Sequence, residues 1–373
     1  MKVLFISSWY PNSTNPLKGV FVKKHATAIR KAGVEIEVLA ITVNPRSGLF
    51  KKKFYREVDE NGVVTHIIEL NSFFYKFIHV DLIMQYAFLK KYYYRHVKPK
   101  FNPDIIHSNV IFPAGVLAYW LSKKEGKPHI ITEHWSKVDK LMSRSIYSGS
   151  AKKAYASAKF VTVVSAFLKN SLSKYVNQAD KIKVIPNVVN TEVFAYKEKD
   201  RNAAEIKFSC VAHWTNPKRP DLIFKALNEF SKNAGKKIIL NIGGEGYLME
   251  ELKKSKWNFT INYLGNLHPQ KLAELHQQSD YFLHASDIET FSIVIAEALA
   301  TGTPVLASRA GAISELMNED NGILSENTNE SWLEGLKQIT QKNYDNKLIS
   351  KNSDSFSLLK IGNKFKELYD SLF

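Results

Sequence analysis

Two carboxylates eight residues apart, Glu289 and Glu297, stand in the segment DIETFSIVIAEALATG. Glu297 interrupts the apolar run IVIAEALA, and burying a carboxylate without partners is costly, so a hydroxyl or a cation is expected beside it. On a single helix the pair would be more than two turns apart on roughly one face; a loop position for Glu289 and a helix starting near Phe291 suit the pattern better. The first amides of that helix, at Phe291, Ser292, Ile293 and Val294, would then lack intrahelical partners and could receive a diphosphate or a sugar hydroxyl. Glutamates at this spacing are common on solvated helices, so the apolar setting of Glu297 carries the inference.

Other residue types point the same way. Lys218 stands between a strand end and a helix start in VAHWTNPKRPDLIFKAL, where a solvated lysine is the plain alternative. Gly243, Gly244 and Gly246 in GGEGYLMEEL permit close backbone approach to a ligand, although an ordinary tight turn explains them equally well in isolation. His134 follows HIITE and is expected to leave the carboxyl end of a strand, with Glu133 and Trp135 beside it; His107, also at a strand end, is the weaker candidate. Cys210, the one cysteine, lies in IKFSCVA and reads as a buried strand thiol.

These residues need a scaffold that ends strands where chemistry happens. Short apolar runs alternate with amphipathic stretches: strands are expected at Val3 to Ile6, Glu35 to Ile41, Val63 to Glu69, Asp104 to His107, His129 to Thr132, Phe160 to Val164 and Lys183 to Ile185. Helices are expected over Phe21 to Lys31, Leu82 to Val97 and Ala114 to Lys123. The pattern restarts after Pro186 and Asn187, with strands at Lys207 to Ala212, Lys237 to Ile242, Thr260 to Leu264, Tyr281 to His284 and Pro304 to Ala307. Such alternation predicts an α/β protein of two Rossmann-like, doubly wound domains facing each other across a cleft. The N-terminal domain would span 1–188 and the C-terminal domain 189–352, with an amphipathic helix over 353–373.

With 373 residues, 45% of them hydrophobic and 24% charged, the chain is globular in composition and neither disordered nor fibrous. The longest run without Asp, Glu, Lys or Arg, residues 105–122, is broken by His107, Asn109 and Pro113, and the start MKVLFISSWYP has no signal-peptide pattern, so a protein of the reducing cytoplasm is expected. The formal charge of +16 is uneven: residues 1–190 carry 30 Lys and Arg against 12 Asp and Glu, residues 191–373 carry 22 against 24. A basic half suggests an anionic partner. Arg46, Lys51, Lys52, Lys53 and Arg56, interleaved with Phe50, Phe54 and Tyr55, suggest peripheral contact with the inner leaflet of a membrane.

The segments above, taken together, resemble the retaining family 4 glycosyltransferases of the GT-B fold, marked by two glutamates with seven residues between them. VAHWTNPKRPDLIFKAL resembles the family's strand and donor-phosphate lysine, GGEGYLMEEL its glycine loop, and LGNLHPQKLAELHQQSDYFLHAS the approach to the glutamates. DIIHSNVIFPAG, ITEHWS and VTVVSAFLK resemble segments of the N-terminal domain, so the likeness covers almost the whole chain.

The resemblance implies a hexosyl- or N-acetylhexosaminyltransferase that uses a UDP- or GDP-sugar and a lipid-linked or surface-polysaccharide acceptor, with no cofactor or metal. It implies that Glu289 bonds donor-sugar hydroxyls, Glu297 the ribose hydroxyls, and Lys218 with Arg219 the phosphates, while His134 touches the reacting centre. Gly19 would approach phosphate and acceptor, Gly244 and Glu245 the nucleotide, and the backbone at Asn266 and Leu267 the base. The C-terminal helix would cross back onto the N-terminal domain. His213 stands where the family has arginine, and Ser292 where it has glycine. No Asp-x-Asp occurs, which disfavours metal-dependent transferases. A nucleotide-sugar hydrolase or epimerase of the same fold is the nearer alternative. An RNA-binding protein using the basic half is the alternative of another class, and leaves the C-terminal residues unexplained.

Overall fold

The computed structural model describes residues 1–44, 52–71, 77–176, 178–199 and 202–373. Packing divides the chain into two units: Met1–Val188 with Leu358–Phe373, and Val189–Ser357.

The first unit holds β1 (Lys2–Ser7), α1 (Val20–Lys31), β2 (Glu35–Asn44), β3 (Lys52–Val58), β4 (Val64–Asn71), α2 (Ile78–Tyr92), β5 (Ile105–Asn109) and α3 (Val116–Glu125). It continues with β6 (His129–Glu133), α4 (Val138–Met142), α5 (Ser145–Ser157), β7 (Phe160–Val163), α6 (Ala166–Ser173) and β8 (Ile182–Val184). The strands form one sheet in the order β3-β4-β2-β1-β5-β6-β7-β8, parallel except for β3 against β4. Side chains on β1 show why both faces are covered. Val3 and Phe5 join one buried cluster with Val22, Ala26 and Ile29 of α1, whereas Leu4 and Ile6 join another with Leu82 and Leu89 of α2. A strand apolar on both faces can lie only inside a parallel sheet wrapped by helices.

The second unit holds β9 (Glu205–Val211), α7 (Pro220–Ser231), β10 (Lys237–Gly243), α8 (Met249–Lys254), β11 (Thr260–Gly265), α9 (Pro269–Gln278) and β12 (Tyr281–His284). Then follow α10 (Ile293–Ala300), β13 (Val305–Ser308), β14 (Gly322–Ser325), α11 (Asn329–Gln341) and α12 (Asn346–Asn352). Its sheet has the order β11-β10-β9-β12-β13-β14, all parallel. The order reverses between β9 and β12, the place where such sheets open a crevice at their carboxyl ends.

Two expectations need correction. The helix expected from residue 353 begins at Leu358; Ser353–Phe356 form a 3-10 turn of the second unit, where Phe356 meets Phe291 edge-on at 5.5 Å. The last helix, α13 (Leu358–Asp370), buries Leu358, Ile361, Phe365, Leu368 and Tyr369 in the first unit against α1. Residues 52–58, part of the basic cluster expected to meet a membrane and given no strand, form the edge strand β3. Phe54 stacks on Tyr92 at 5.5 Å, while Tyr55 donates to Glu69 at 2.7 Å, so the interleaved aromatics pack on both faces of the strand. Arg46, Phe50 and Lys51 lie outside the described residues. No described helix is long and apolar enough to cross a membrane.

Contact between α13 and α1 depends on one missing side chain. A Cβ at Gly362 would lie 2.1 Å from the carbonyl oxygen of Ala28, so the two backbones touch there. Gly362→Val is expected to push α13 off α1 at a cost of about 1–3 kcal/mol, seen as a lower urea midpoint. An unchanged midpoint would show that this close approach is dispensable.

Candidate active site

Two loops of the second unit are joined by backbone hydrogen bonds. The amide of Arg219 donates to Ala285 O at 3.0 Å, that of Asp287 to Pro217 O at 2.9 Å, and Lys218 and Ser286 form an isolated antiparallel bridge. The second loop is itself anchored: Ser286 N donates to Ser308 Oγ at 3.1 Å, Asn327 Nδ2 to Ser286 O at 3.1 Å, and Ala312 N to Glu289 O at 2.9 Å. This framework brings the Lys218 ammonium onto Glu289 Oε1, which His284 Nε2 also meets at 2.9 Å. His284 Nε2 stands 3.3 Å from Ser292 Oγ and 3.4 Å from Lys218 Nζ.

Burial alone would raise the pKa of Glu289, but the Lys218 ammonium and the His284 hydrogen bond outweigh it and hold the carboxyl down at about 2. Burial and the same ammonium push His284 below its ordinary range, so at neutral pH it is an uncharged donor to Glu289. His284 ends β12, five positions before Glu289, and its place at a strand's carboxyl end is the signal that the run YFLHAS carries.

The other expected donor-site residues fall around this cluster or beside it. Arg219 turns its guanidinium to both oxygens of Asp221, at 2.9 Å each, and to Asp287 at 3.2 Å, which makes it a brace for the loop. Helix α10 starts at Ile293, two residues later than expected, because Ser292 has φ 71°, a left-handed conformation that cannot belong to the helix. A serine there costs about 1–2 kcal/mol more than a glycine in steric terms, and its hydroxyl lies near His284. Phe291 is buried, Ile293 and Val294 are half-buried at the helix start, and Glu297 is buried in α10 at 5% exposure.

Gly244 has φ 87° and its α-carbon packs on the backbone of residue 212, where a Cβ would come within 1.9 Å of Ala212 O. Glu245 is exposed, and its carbonyl accepts from Trp214 N at 2.9 Å. His213 and Asn266 are exposed, and Leu267 is half-buried against Gly243. The glycine loop thus serves packing of one strand-end loop on the next, whatever else it meets.

In the first unit, His134 leaves the end of β6 and is 6% exposed, its Nε2 donating to Asn109 Oδ1 at 3.3 Å. Burial, with His25 and His107 close by, pushes its pKa well below the usual value, so it carries no charge at pH 7. Phe21 and His25 lie beside its ring at 4.6 and 5.3 Å. Gly19 packs on Trp9, whose carbonyl oxygen would lie 2.1 Å from a Cβ there. His107 is fully enclosed, bonded to Tyr369 OH of α13 and to Thr132 Oγ1, both at 2.6 Å, and so joins sheet to helix. Glu133 is fully buried too; its Oε1 accepts from Ile111 N and from Tyr155 OH, and burial raises its pKa to about 7. Its acceptance from Ile111 pins the turn after Val110, a β-branched residue held at φ 65°.

Residues 194–355 match the family described as glycosyl transferases group 1, and residues 19–193 match glycosyltransferase family 4. The chain is 28% identical over 261 residues to an uncharacterized glycosyltransferase of Methanocaldococcus jannaschii, across 68% of this chain and 70% of that one. Alignments with three further relatives span 56%, 62% and 50% of their lengths. Sucrose-phosphate synthase of Thermosynechococcus elongatus superposes with a TM-score of 0.73 at 18% identity, over all of this chain and 99% of the other. The Anabaena HepE protein in complex with UDP and glucose superposes with a TM-score of 0.70 at 16% identity, over the whole of both chains. The likeness to these structures shows the fold, two Rossmann-like α/β domains of the GT-B class.

Two measurements test the electrostatics. His284→Phe keeps a ring but removes a donor from Glu289, so its carboxyl pKa should climb from about 2 toward the ordinary range, as followed by carbon NMR of the side chain. An unmoved titration would leave His284 without this role. Glu133, raised to about 7, favours folding fully below the unfolded-state carboxyl range, and that contribution is lost as pH rises to about 7. Relative to Glu133→Gln, the wild type should therefore lose on the order of a few kcal/mol between pH 4.5 and 7 in urea titrations; parallel curves would contradict it.

Proposed function

This chain belongs to the group 1, family 4 glycosyltransferases, and we propose that it moves a sugar, with retention, from a nucleoside diphosphate donor to an acceptor hydroxyl. The observation that carries the donor reading is the convergence of Lys218, Glu289, His284 and Ser292 at the carboxyl end of β12, beside the start of α10. Such a site offers one ammonium, one ionised carboxylate, uncharged donors and helix-end amides, the groups that a diphosphate and a polyol require together.

On this reading an entering diphosphate draws the Lys218 ammonium from Glu289, and the released carboxylate accepts sugar hydroxyls. As the glycosidic bond lengthens, charge gathers on the departing phosphate. Lys218 and the amides at Ile293 and Val294 then stabilise the transition state more than the ground state. Glu297 takes the ribose hydroxyls and His134 serves the reacting centre as an uncharged hydrogen-bonding group. That HepE was solved with UDP and glucose supports a UDP-sugar among the possible donors. A lipid-linked or surface-polysaccharide acceptor and a peripheral place on an anionic leaflet suit the basic first half, which carries 30 Lys and Arg against 12 Asp and Glu.

Thermal shift tests the donor site. UDP at about a hundred times its Kd should stabilise the protein by about 2.7 kcal/mol, with GDP and ADP compared alongside. Glu297→Gln should weaken nucleotide binding about tenfold and Lys218→Ala at least as much, each worth roughly 1.4 kcal/mol or more. Sugar transfer should persist in excess chelator. Wild-type affinity in Glu297→Gln would remove the ribose assignment, and loss of transfer restored by magnesium would overturn metal independence.

A further inference from the structure

In the first unit a cavity of about 300 Å³ is lined by Phe112, Trp135, Lys137, Lys140, Leu141 and Arg144. Lys137 caps the start of α4, Lys140 lies within it and Arg144 follows it, and all three cations line the cavity. The opposite arrangement would have been easy to encode, because Asp139 lies between them in the chain. Asp139 instead faces away and is engaged by Lys174 at 2.7 Å and Tyr175 at 2.8 Å. No carboxylate lines the cavity, and Lys137, Lys140 and Arg144 have no ion-pair partner among the described residues. Three like charges gathered at one cavity repel one another.

The apolar wall is equally specific. Trp135 leaves the carboxyl end of β6 directly after His134 and is half-buried, with Trp9 edge-on at 6.0 Å fixing its ring. Phe112 belongs to the turn whose position Glu133 holds through Ile111 N. Flat aromatic faces accept the C–H side of a pyranose, whereas lysines and an arginine recognise oxyanions, the arginine with two parallel donors. A pocket of this volume, with aromatic walls and a few convergent polar groups, has the dimensions of a small-ligand site.

We propose that this cavity binds a saccharide bearing a phosphate ester, with the sugar on Trp135 and the phosphate among Lys137, Lys140 and Arg144. Three cations match a phosphate ester, which carries nearly two negative charges at neutral pH, better than a singly charged uronate. The proposal rests on the transferase reading in one respect: it makes the anionic saccharide part of the acceptor. The acceptor would then be a sugar phosphate, either soluble or joined to a lipid through its phosphate.

Calorimetric titration with glucose 1-phosphate, alone and in saturating UDP, tests it. Binding should be the same with UDP present, at least about tenfold tighter than for methyl α-glucoside or glucuronate, and weaker as salt rises. Lys137→Gln, Lys140→Gln and Arg144→Gln together, and Trp135→Ala separately, should each weaken it about tenfold or more while leaving the UDP thermal shift unchanged. Equal affinity in the triple variant, competition by UDP, or inorganic phosphate binding as tightly as the sugar phosphate would overturn the proposal. So would binding of phosphatidylglycerol vesicles, lost in the triple variant, without binding of glucose 1-phosphate, since the cavity would then hold a bilayer headgroup. Absence of any UDP shift in the wild type would instead count against the donor site and leave the cavity to be judged by its own titration.

Discussion

A buried ion pair governs the second unit. Lys218 and Glu289 are 18% and 15% exposed at their side chains, and taking both out of water costs several kcal/mol per ion before their attraction is counted. The surrounding structure has to hold them together closely enough for that attraction, and the His284 hydrogen bond, to compensate. The paired loops at 217–219 and 285–287, the anchoring of Ser286 by Ser308 and Asn327, and the Arg219 brace on Asp221 and Asp287 all hold the two charges in register. A pair maintained at such cost is poorly suited to simple stabilisation, because an apolar pair of the same volume would serve as well. It is well suited to an exchange of partners, in which an anionic ligand takes the ammonium and hydroxyls take the carboxylate.

The first unit uses charge in the opposite way. Five of its buried titratable groups, His25, His107, His129, His134 and Glu133, are pushed toward their uncharged forms by burial, and they act through hydrogen bonds and packing. Net positive charge is carried outside, around α4 and along β3 and α2. One unit therefore places an ion pair at its candidate site, and the other holds most of these buried groups uncharged beneath a cationic surface, with Glu125, kept ionised by Lys98 and two tyrosines, as the exception.

Much of this was legible in sequence because periodicity reports burial. Runs such as VLFIS and KIILNIG, apolar on both faces, can only be central parallel strands, and Tyr281 to His284 falls where expected. Glu297 was legible for the same reason, as a charge amid apolar residues. What escaped was set by contacts between distant segments. Residues 52–58 show no alternation of apolar and polar residues, since an edge strand buries little, and only their antiparallel pairing to β4 reveals them. His284 is an ordinary residue until the pairing of Lys218 with Ser286, far apart in the chain, brings the ammonium beside it. The start of α10 was misjudged because the left-handed turn at Ser292 is made by a residue that rarely adopts it. The cavity at α4 escaped because its lining comes from residues 112, 135 and 137–144, and three lysines and arginines among many in a basic half carry no distinguishing mark.

The central claim is that Lys218 and Glu289 act as one unit toward a nucleotide-sugar. A double-mutant cycle on binding of a UDP-sugar, using Lys218→Met, Glu289→Gln and the double variant, measures this directly, with urea unfolding run on the same four proteins to separate folding from binding. Coupling of about 1 kcal/mol or more in the binding free energy is the predicted result, because each substitution strands the partner that the ligand would otherwise engage. Effects that add to within about 0.5 kcal/mol would show that the two residues meet the ligand independently, or not at all, and would contradict the account.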